Sequence, residues 1–467
     1  MEKASAHKYL VLTLVILTSL VNPFMGAAVN IALPQIGEEF SMNAITMSWV
    51  AMSFLLSSAV FLVPLGKLAD IVGRKRIFFW GNVIVTLATL LCAVSNSTWM
   101  LITFRVFLGM GSAMMFGTSM AIVTSVFPPH ERGKALGISV TAVYLGLSAA
   151  PLLGGMLTQL FGWRSIFLVP IPTGLFVAVA TRLFVKTEWA DARHDSFDLK
   201  GSIVYTLAMF ALMYGFSEFP NVYAIALAFA GILGLLLFIR IESGTDSPIL
   251  NIDLFRGNRV FAFSNLAALI NYATTFAVTF VLSLYLQYVK GLSPRDAGVI
   301  LVSQPAMMAL VASFAGKLSD RYDPRILSSS GMGIIMVGLV MLTFINGLTS
   351  IPFIMLCLIV LGVGFGMFTS PNTNSVMGSV DRKYLGIASA TIGTMRLTGQ
   401  MLSMGIATLV LSVFIGTSKL TPGDNPGFLR SAKVIFIVFS VLCLFGIFAS
   451  LARGKRERRV QPSVNAN

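Results

Sequence analysis

Long apolar runs separated by short polar stretches recur from one end of this chain to the other. They fall near 9–30, 44–66, 77–95, 100–123, 134–160, 164–186, 201–217, 221–240, 260–282, 294–316, 327–346, 350–370, 385–414 and 432–452. About 20 apolar residues suffice for a helix to cross the hydrocarbon of a bilayer, so the pattern predicts fourteen membrane-spanning helices. The runs 201–217 and 221–240 lie close together around Ser217-Glu-Phe-Pro220 and read as one helical hairpin, with an interfacial placement as the alternative. The first run begins near the amino terminus, as a signal peptide would. It is too long for one, lacks a small-residue cleavage site and is followed by further spans, so it reads as a retained helix.

A short charged loop follows the second run: Gly66-Lys-Leu-Ala-Asp70-Ile-Val-Gly73-Arg74-Lys-Arg76. An echo, Gly316-Lys-Leu-Ser-Asp320-Arg-Tyr-Asp-Pro-Arg325, follows the tenth run 250 residues later. Leu108-Gly-Met-Gly111 in the fourth run returns as Leu361-Gly-Val-Gly364 in the twelfth, 253 residues on. Two motifs with nearly one offset indicate an internal duplication. Many secondary transporters are built this way, with the substrate site between the repeats. Spans 1–6 and 9–14 then form two bundles, with spans 7–8 inserted. In residues, 1–190 holds the first bundle, 191–258 the inserted pair with charged connectors, 259–452 the second bundle and 453–467 a basic tail.

The chain is 56% hydrophobic and 11% charged, against about 25% charged residues in soluble domains. That excludes a water-soluble protein. The net charge of +14 would point a soluble chain towards nucleic acid, but its distribution gives a different account. With the amino terminus inside, the inner segments hold 25 Lys and Arg, the outer ones hold 6, and Arg105 and Arg396 lie within spans. This bias predicts cytoplasmic termini and no nucleic-acid partner. The stretch Arg453–Arg459 reads as a topological anchor, with a partner site as the alternative. Cys92, Cys357 and Cys443 all fall within spans and lack metal-ligand spacing. No nucleotide-binding loop, metal cluster or nucleophile–base pair is visible, so neither a cofactor nor an enzymatic activity is expected.

Four motif regions give the chain its resemblance to the major facilitator superfamily, and within it to the fourteen-span drug:proton antiporters. Residues 66–76 are similar to that family's Gly-x-Leu-Ala-Asp-Arg-x-Gly-Arg-Arg/Lys-Arg loop, with Ile71 at a usually basic position. Arg105-Val-Phe-Leu-Gly109 is similar to its span-4 Arg-x-x-x-Gly motif. Gly137, Gly146 and Ala150-Pro151-Leu-Leu-Gly154-Gly155 are similar to its span-5 antiporter motif, with Ala in place of one Gly. Asn30-Ile-Ala-Leu-Pro34 is similar to the ending of span 1 in many members. The resemblance implies an all-α polytopic membrane protein with the major facilitator fold: two six-helix bundles plus two inserted helices. It also implies a monomer in the lipid bilayer of a prokaryotic plasma (inner) membrane that exports small amphipathic, drug-like compounds by alternating access, in exchange for protons.

A conformational latch on Gly66, Asp70, Gly73, Arg74 and the echo's Asp320 is implied by the same resemblance. The plainer alternative is that the loop only fixes topology. Gly66 and Gly73 suit tight turns at helix ends, and Asp70 among Lys67, Arg74, Lys75 and Arg76 should be ionised and hydrogen-bonded. Gly146, Ala150 and Gly154 recur every four residues and so share a helix face that permits close approach. Pro151 invites a kink. Arg105 is the strongest candidate for the substrate path, since an arginine at membrane depth is costly and usually faces a cavity or partner. A structural arginine bonded to helix carbonyls is the alternative. Arg396 sits in the polar stretch Arg396-Leu-Thr-Gly-Gln400. Asn30, Asn271, Tyr272, Gln304, Asn372 and Asn374 complete the candidate lining, or else act as interhelical glue. Asn372 and Asn374 follow Pro371 at a helix end, where a loop role is also open.

The family pattern breaks in one place. Many members carry an Asp nine residues before the span-1 Pro; here that position is Met25, and no acid or histidine lies at mid-membrane. Neutral, zwitterionic or anionic substrates therefore fit better than cations. A coupling proton needs a group near the surface, such as Asp70, or one on the substrate. Export of an anionic or lipid-like metabolite is the second reading. A non-transporting membrane sensor or scaffold is the rival from another class, and the intact loop and span-5 stripe argue against it.

Overall fold

The computed structural model describes residues 2–190, 192, 196–218, 221–245, 248–250, 253–319, 321–380, 385–416 and 426–454. All regular structure in them is helical, and fourteen helices are long and apolar enough to cross a membrane. They are α1 (Glu2–Glu39), α2 (Ala44–Val72), α3 (Arg74–Ala93), α4 (Thr98–Val126), α5 (Pro129–Phe161), α6 (Ser165–Phe184) and α7 (Leu199–Ser217). The rest are α8 (Val222–Glu242), α9 (Arg259–Val289), α10 (Pro294–Ser319), α11 (Pro324–Leu342), α12 (Ile351–Gly378), α13 (Leu385–Phe414) and α14 (Pro426–Ala452). An even number of spans returns the chain to the face from which it started, called here the terminal face. Asp320 and the tail from residue 455 lie outside the described residues.

The two sequence echoes become the same helix crossings made twice. A Cβ on Gly109 would lie 2.4 Å from the Phe54 carbonyl oxygen, and one on Gly362 would lie 2.4 Å from that of Gln304. These contacts fasten α4 to α2 and α12 to α10. Gly111 meets the Gly81 carbonyl where α4 crosses α3, and Gly364 meets that of Gly331 where α12 crosses α11. In a bilayer, association relies on close packing, and small residues let backbones approach. A third pair, Gly146 against the Leu20 carbonyl and Gly399 against that of Leu269, sets α5 on α1 and α13 on α9. The equivalence is thus 249 residues for α1, 250 for α2 and α3, and 253 for α4 and α5.

The bundles are stitched together on the face opposite the termini. The sequence pattern ends the first span near residue 30, whereas α1 continues to Glu39 with Pro34 inside it. Pro34 has no N–H, so the Asn30 carbonyl one turn earlier loses its helical partner. Ser283 of α9 donates to that carbonyl at 2.7 Å, and Gln287 donates to the next, Ile31, at 3.0 Å. Thr408 of α13 donates to Ser48 of α2 at 2.8 Å. On the other side of the seam α5 and α10 nest reciprocally: a Cβ on Gly155 would lie 2.5 Å from the Pro294 carbonyl oxygen, and one on Gly298 would lie 2.2 Å from that of Pro151. Ser283→Ala leaves a buried carbonyl unsatisfied, a cost of about 1–3 kcal/mol. A lowered melting temperature of the purified protein is expected, and an unchanged one would show that another donor replaces Ser283.

The inserted helices form a hairpin, as the first of the two readings of 201–217 and 221–240 has it, and each is long and apolar enough to cross a membrane. A Cβ on Gly215 would lie 2.6 Å from the Ala228 amide nitrogen, and one on Gly231 would lie 2.6 Å from that of Leu212. Asp198 caps α7 by accepting from the Gly201 amide at 2.8 Å. Helix α7 docks on the seam, its Tyr205 hydroxyl reaching the Ala59 carbonyl of α2 and its Phe216 lying against Gly405 of α13. Helix α8 leaves Val222, Ile225, Phe229, Ile232 and Leu236 exposed. A helix with an apolar exposed face of this kind is suited to lipid.

Candidate functional site

At mid-depth between the bundles lies a cavity of about 160 Å³. Helix α1 contributes Asn22, Gly26 and Asn30; α2, Phe54 and Ser58; α4, Ser112 and Phe116; α5, Val143, Tyr144, Leu147 and Pro151. From the second bundle come Tyr272, Thr275, Phe276 and Thr279 of α9, Gln304 and Met308 of α10, Phe365 of α12, and Arg396 and Gln400 of α13. The wall is aromatic and aliphatic, broken by four amides, hydroxyls and one cation, the make-up expected of a small-molecule site.

The polar groups are held by their aromatic neighbours. Arg396 lies over the Phe116 ring with its Cζ 4.3 Å from the centroid, a contact between bundles. Gly393, one turn earlier, makes room for it: a Cβ there would lie 2.9 Å from the Phe116 ring. Tyr272 meets Phe365 edge to face at 5.4 Å. The side-chain oxygens of Asn30 and Gln304 are buried without a donor among the described residues.

Of the eight residues expected along the path, Asn30, Tyr272, Gln304 and Arg396 line this cavity; the other four lie elsewhere. Arg105 is wholly buried behind Phe54, 5.3 Å from that ring's centroid. None of its three guanidinium nitrogens donates to a described residue, so it is neither cavity-facing nor bonded to helix carbonyls. Asn271 precedes Tyr272 on α9, and one helical step of about 100° turns its side chain away. It is buried, with both amide atoms unpartnered among the described residues.

Asn372 and Asn374 do not sit at a helix end, because α12 passes through Pro371 to Gly378. Asn372 donates to the Ser264 carbonyl at 3.1 Å and accepts from Arg453 at 3.2 Å, while Asn374 donates to Ser319 at 2.6 Å. Both join helices near the terminal face. Arg453, expected to open the exposed tail, is buried among Ser450, Ser264 and Asn372. Sequence reasoning missed Asn22, Tyr144, Phe116 and Phe54. Only Asn22 left a signal, since the 249-residue offset pairs it with Asn271.

The charged loop takes a different form from that expected at one glycine. Gly66 lies inside α2, not at its end; it stands 3.5 Å from a Cβ placed on Gly117 of α4. Gly316 in α10 faces Ser370 of α12 in the same way. Gly73 does make the turn, with φ of +128°, and a Cβ there would also strike Glu188. Asp70 accepts from Arg74 at 2.7 Å, and Arg74 donates onward to Ser125 of α4 at 2.8 Å. Backbone bonds from Arg74 to Trp189 and from Ala192 to Asp70 fasten the turn to the connector leading to α7. The Asp70 carboxylate is 37% exposed, so its ion pair contributes less than about 1 kcal/mol to stability. Asp70→Asn is accordingly expected to insert and melt as the parent does while transport falls several-fold. Transport at the parent rate would remove the latch reading.

In α5 the small residues serve two neighbours. Gly146 and Gly154 face α1 at Leu20 and Ala28, Ala150 is wholly buried, and Pro151 with Gly155 faces α10 across the seam.

The sequence pattern of the Major Facilitator Superfamily matches residues 15–404 and, a second time, 264–466. The chain belongs to the major facilitator superfamily. This facilitator is 30% identical over 446 residues to the riboflavin transporter RibZ of Clostridioides difficile, covering 92% of this chain and 96% of RibZ. It is 30% identical over 396 residues to the multidrug resistance protein Stp of Mycobacterium tuberculosis, covering 84% and 73%. The tetracenomycin C resistance and export protein of Streptomyces glaucescens is 26% identical over 394 residues, covering 83% and 72%. Among solved structures, a bacterial homologue of the human lysosomal transporter Spinster shares the fold of this facilitator with a TM-score of 0.66. The two are 18% identical, over 96% of this chain and 97% of the other.

Proposed function

We propose that this facilitator exports small, partly apolar ring compounds from a bacterial cytoplasm across the plasma membrane by alternating access. The observation that carries the reading is the cavity at mid-depth between two equivalent bundles, with aromatic walls and scattered amides. Export is the direction suggested by the α5 stripe and by relatives named for resistance. Lys and Arg number 25 in segments on the terminal face and 6 on the other, which supports cytoplasmic termini. Protons are the proposed driving ions. Since the described lining holds no carboxylate or histidine, the coupling group lies outside the cavity wall or on the substrate, and Asp70 is the first candidate. The working unit is taken as the monomer.

The test is accumulation of a broad panel of fluorescent ring compounds in cells with and without the protein, before and after an uncoupler. Lower accumulation with the protein, abolished by the uncoupler, is expected. Equal accumulation across the panel overturns the exporter reading, and efflux that survives the uncoupler overturns proton exchange.

A second reading, transport of one flat polar metabolite, draws on the relative named as a riboflavin transporter. It also draws on the four amides Asn22, Asn30, Gln304 and Gln400, which suit hydrogen-bonding ring substituents. Movement of riboflavin alone out of the whole panel would favour it.

A further inference from the structure

The duplication places equivalent residues on opposite walls of the cavity, and at one pair their chemistry differs sharply. By the 253-residue offset of α5 and α13, Arg396 corresponds to Val143 and Gln400 to Leu147, and all four line the cavity. The fold therefore accepts an apolar residue at this position, and the helix crossing does not require a cation. Arg396 is the one formally charged residue among the described lining, and no carboxylate stands against it. Its described contact is the Phe116 ring face at 4.3 Å. A ring contact of this kind is not a hydrogen bond to an acceptor oxygen, and the guanidinium N–H groups form a fork suited to a carboxylate. The surrounding amides are neutral and cannot balance the charge. A cation at membrane depth that lacks a counter-charge is disfavoured unless something supplies one.

We infer that Arg396 is the anion-accepting end of the substrate site, and that the preferred substrates are organic carboxylates whose ring lies against Phe116 and its aromatic neighbours. This rests on the cavity being the transport site. Neutral ring compounds bind the same aromatic walls more weakly, and cationic ones are repelled. The carboxylate binds ionised, so preference for the acid over its neutral amide is full at neutral pH and fades as the medium falls through the pKa of the acid.

The experiment uses the full-length purified protein and three probes: anthracene-9-carboxylate, anthracene-9-carboxamide and acetate. At neutral pH the aromatic acid is expected to bind at least tenfold more tightly than its amide, and acetate not detectably. In Arg396→Gln the ratio of acid to amide affinity is expected to fall to about one, whatever the absolute affinity for the amide; in Arg396→Lys part of the preference remains. Equal binding of acid and amide by the parent protein overturns the inference, as does an acid preference that survives Arg396→Gln. Acetate binding as tightly as the aromatic acid overturns the assigned substrate class. Should Arg396→Gln fail to fold, the comparison of acid with amide on the parent and on Arg396→Lys still decides. Counterflow in proteoliposomes separates this inference from the transport reading. Arg396-dependent binding without counterflow defeats transport alone, whereas counterflow of neutral compounds with no acid preference defeats the subsite alone.

Discussion

Gly298→Ala is expected to reduce transport by about fivefold or more in a protein that still inserts and folds. The added Cβ would lie 2.2 Å from the Pro151 carbonyl oxygen, and the obstacle is backbone, so no side-chain rotation relieves it. Overpacking of this kind costs about 1–3 kcal/mol. The strain falls on the seam where α10 meets α5 and not inside either bundle, so it acts on the conformation in which this face is closed. At about 1.4 kcal/mol per factor of ten, the closed population drops by roughly five- to over a hundredfold relative to the open one. Two measurements check this together: transport in proteoliposomes, and thiol labelling, from the side opposite the termini, of a cysteine placed at Thr279 in the cavity wall. Slower transport with faster labelling is the expected pair. Parent-like values in both would mean that α5 and α10 shift apart at no cost.

Arg105→Leu is expected to melt at or above the parent temperature while transport falls by at least tenfold. The Arg105 guanidinium is wholly buried and without an acceptor among the described residues. The 253-residue offset places Leu358 at the equivalent point of α12, also wholly buried, so leucine fits this crossing. Replacing buried charge with well-packed apolar side chains often stabilises a protein by about 1–4 kcal/mol. A residue held at such cost is a functional candidate, and its one described route to the cavity is through Phe54, which forms part of the wall. Thermal unfolding and transport of the purified variant decide the matter. Full transport would make Arg105 dispensable, and a large fall in melting temperature would make it structural.

The limits of sequence reading show at particular residues. Asn30 and Pro34 were legible as a motif, but the end of α1 was misplaced by about nine residues. Proline removes one helical bond without ending the helix when a neighbour takes the freed carbonyl, and that neighbour, Ser283, is 253 residues away in sequence. Asn271 and Tyr272 are adjacent and equally polar in pattern, yet only Tyr272 faces the cavity. In a helix that is apolar all round, no stripe announces which face is inward. Phe116 and Phe54 were invisible for the same reason, as two phenylalanines among the 36 of the chain. Arg453 read as the start of a solvated tail because charge near a terminus suggests solvent, but Asn372 and Ser264 supply it with buried partners.

By itself the sequence determined that the chain crosses a membrane, how many times, and that its halves repeat. Those properties follow from local hydropathy and from motifs that each fit within a few residues. The tertiary structure alone decided which polar groups share the cavity, that Arg105 is not among them, and that the seam closes through the carbonyl freed by Pro34 and through the nested Gly155 and Gly298. Each of these depends on how two helices are rotated and pressed together, and contacts between residues hundreds of positions apart leave no trace in either segment read alone.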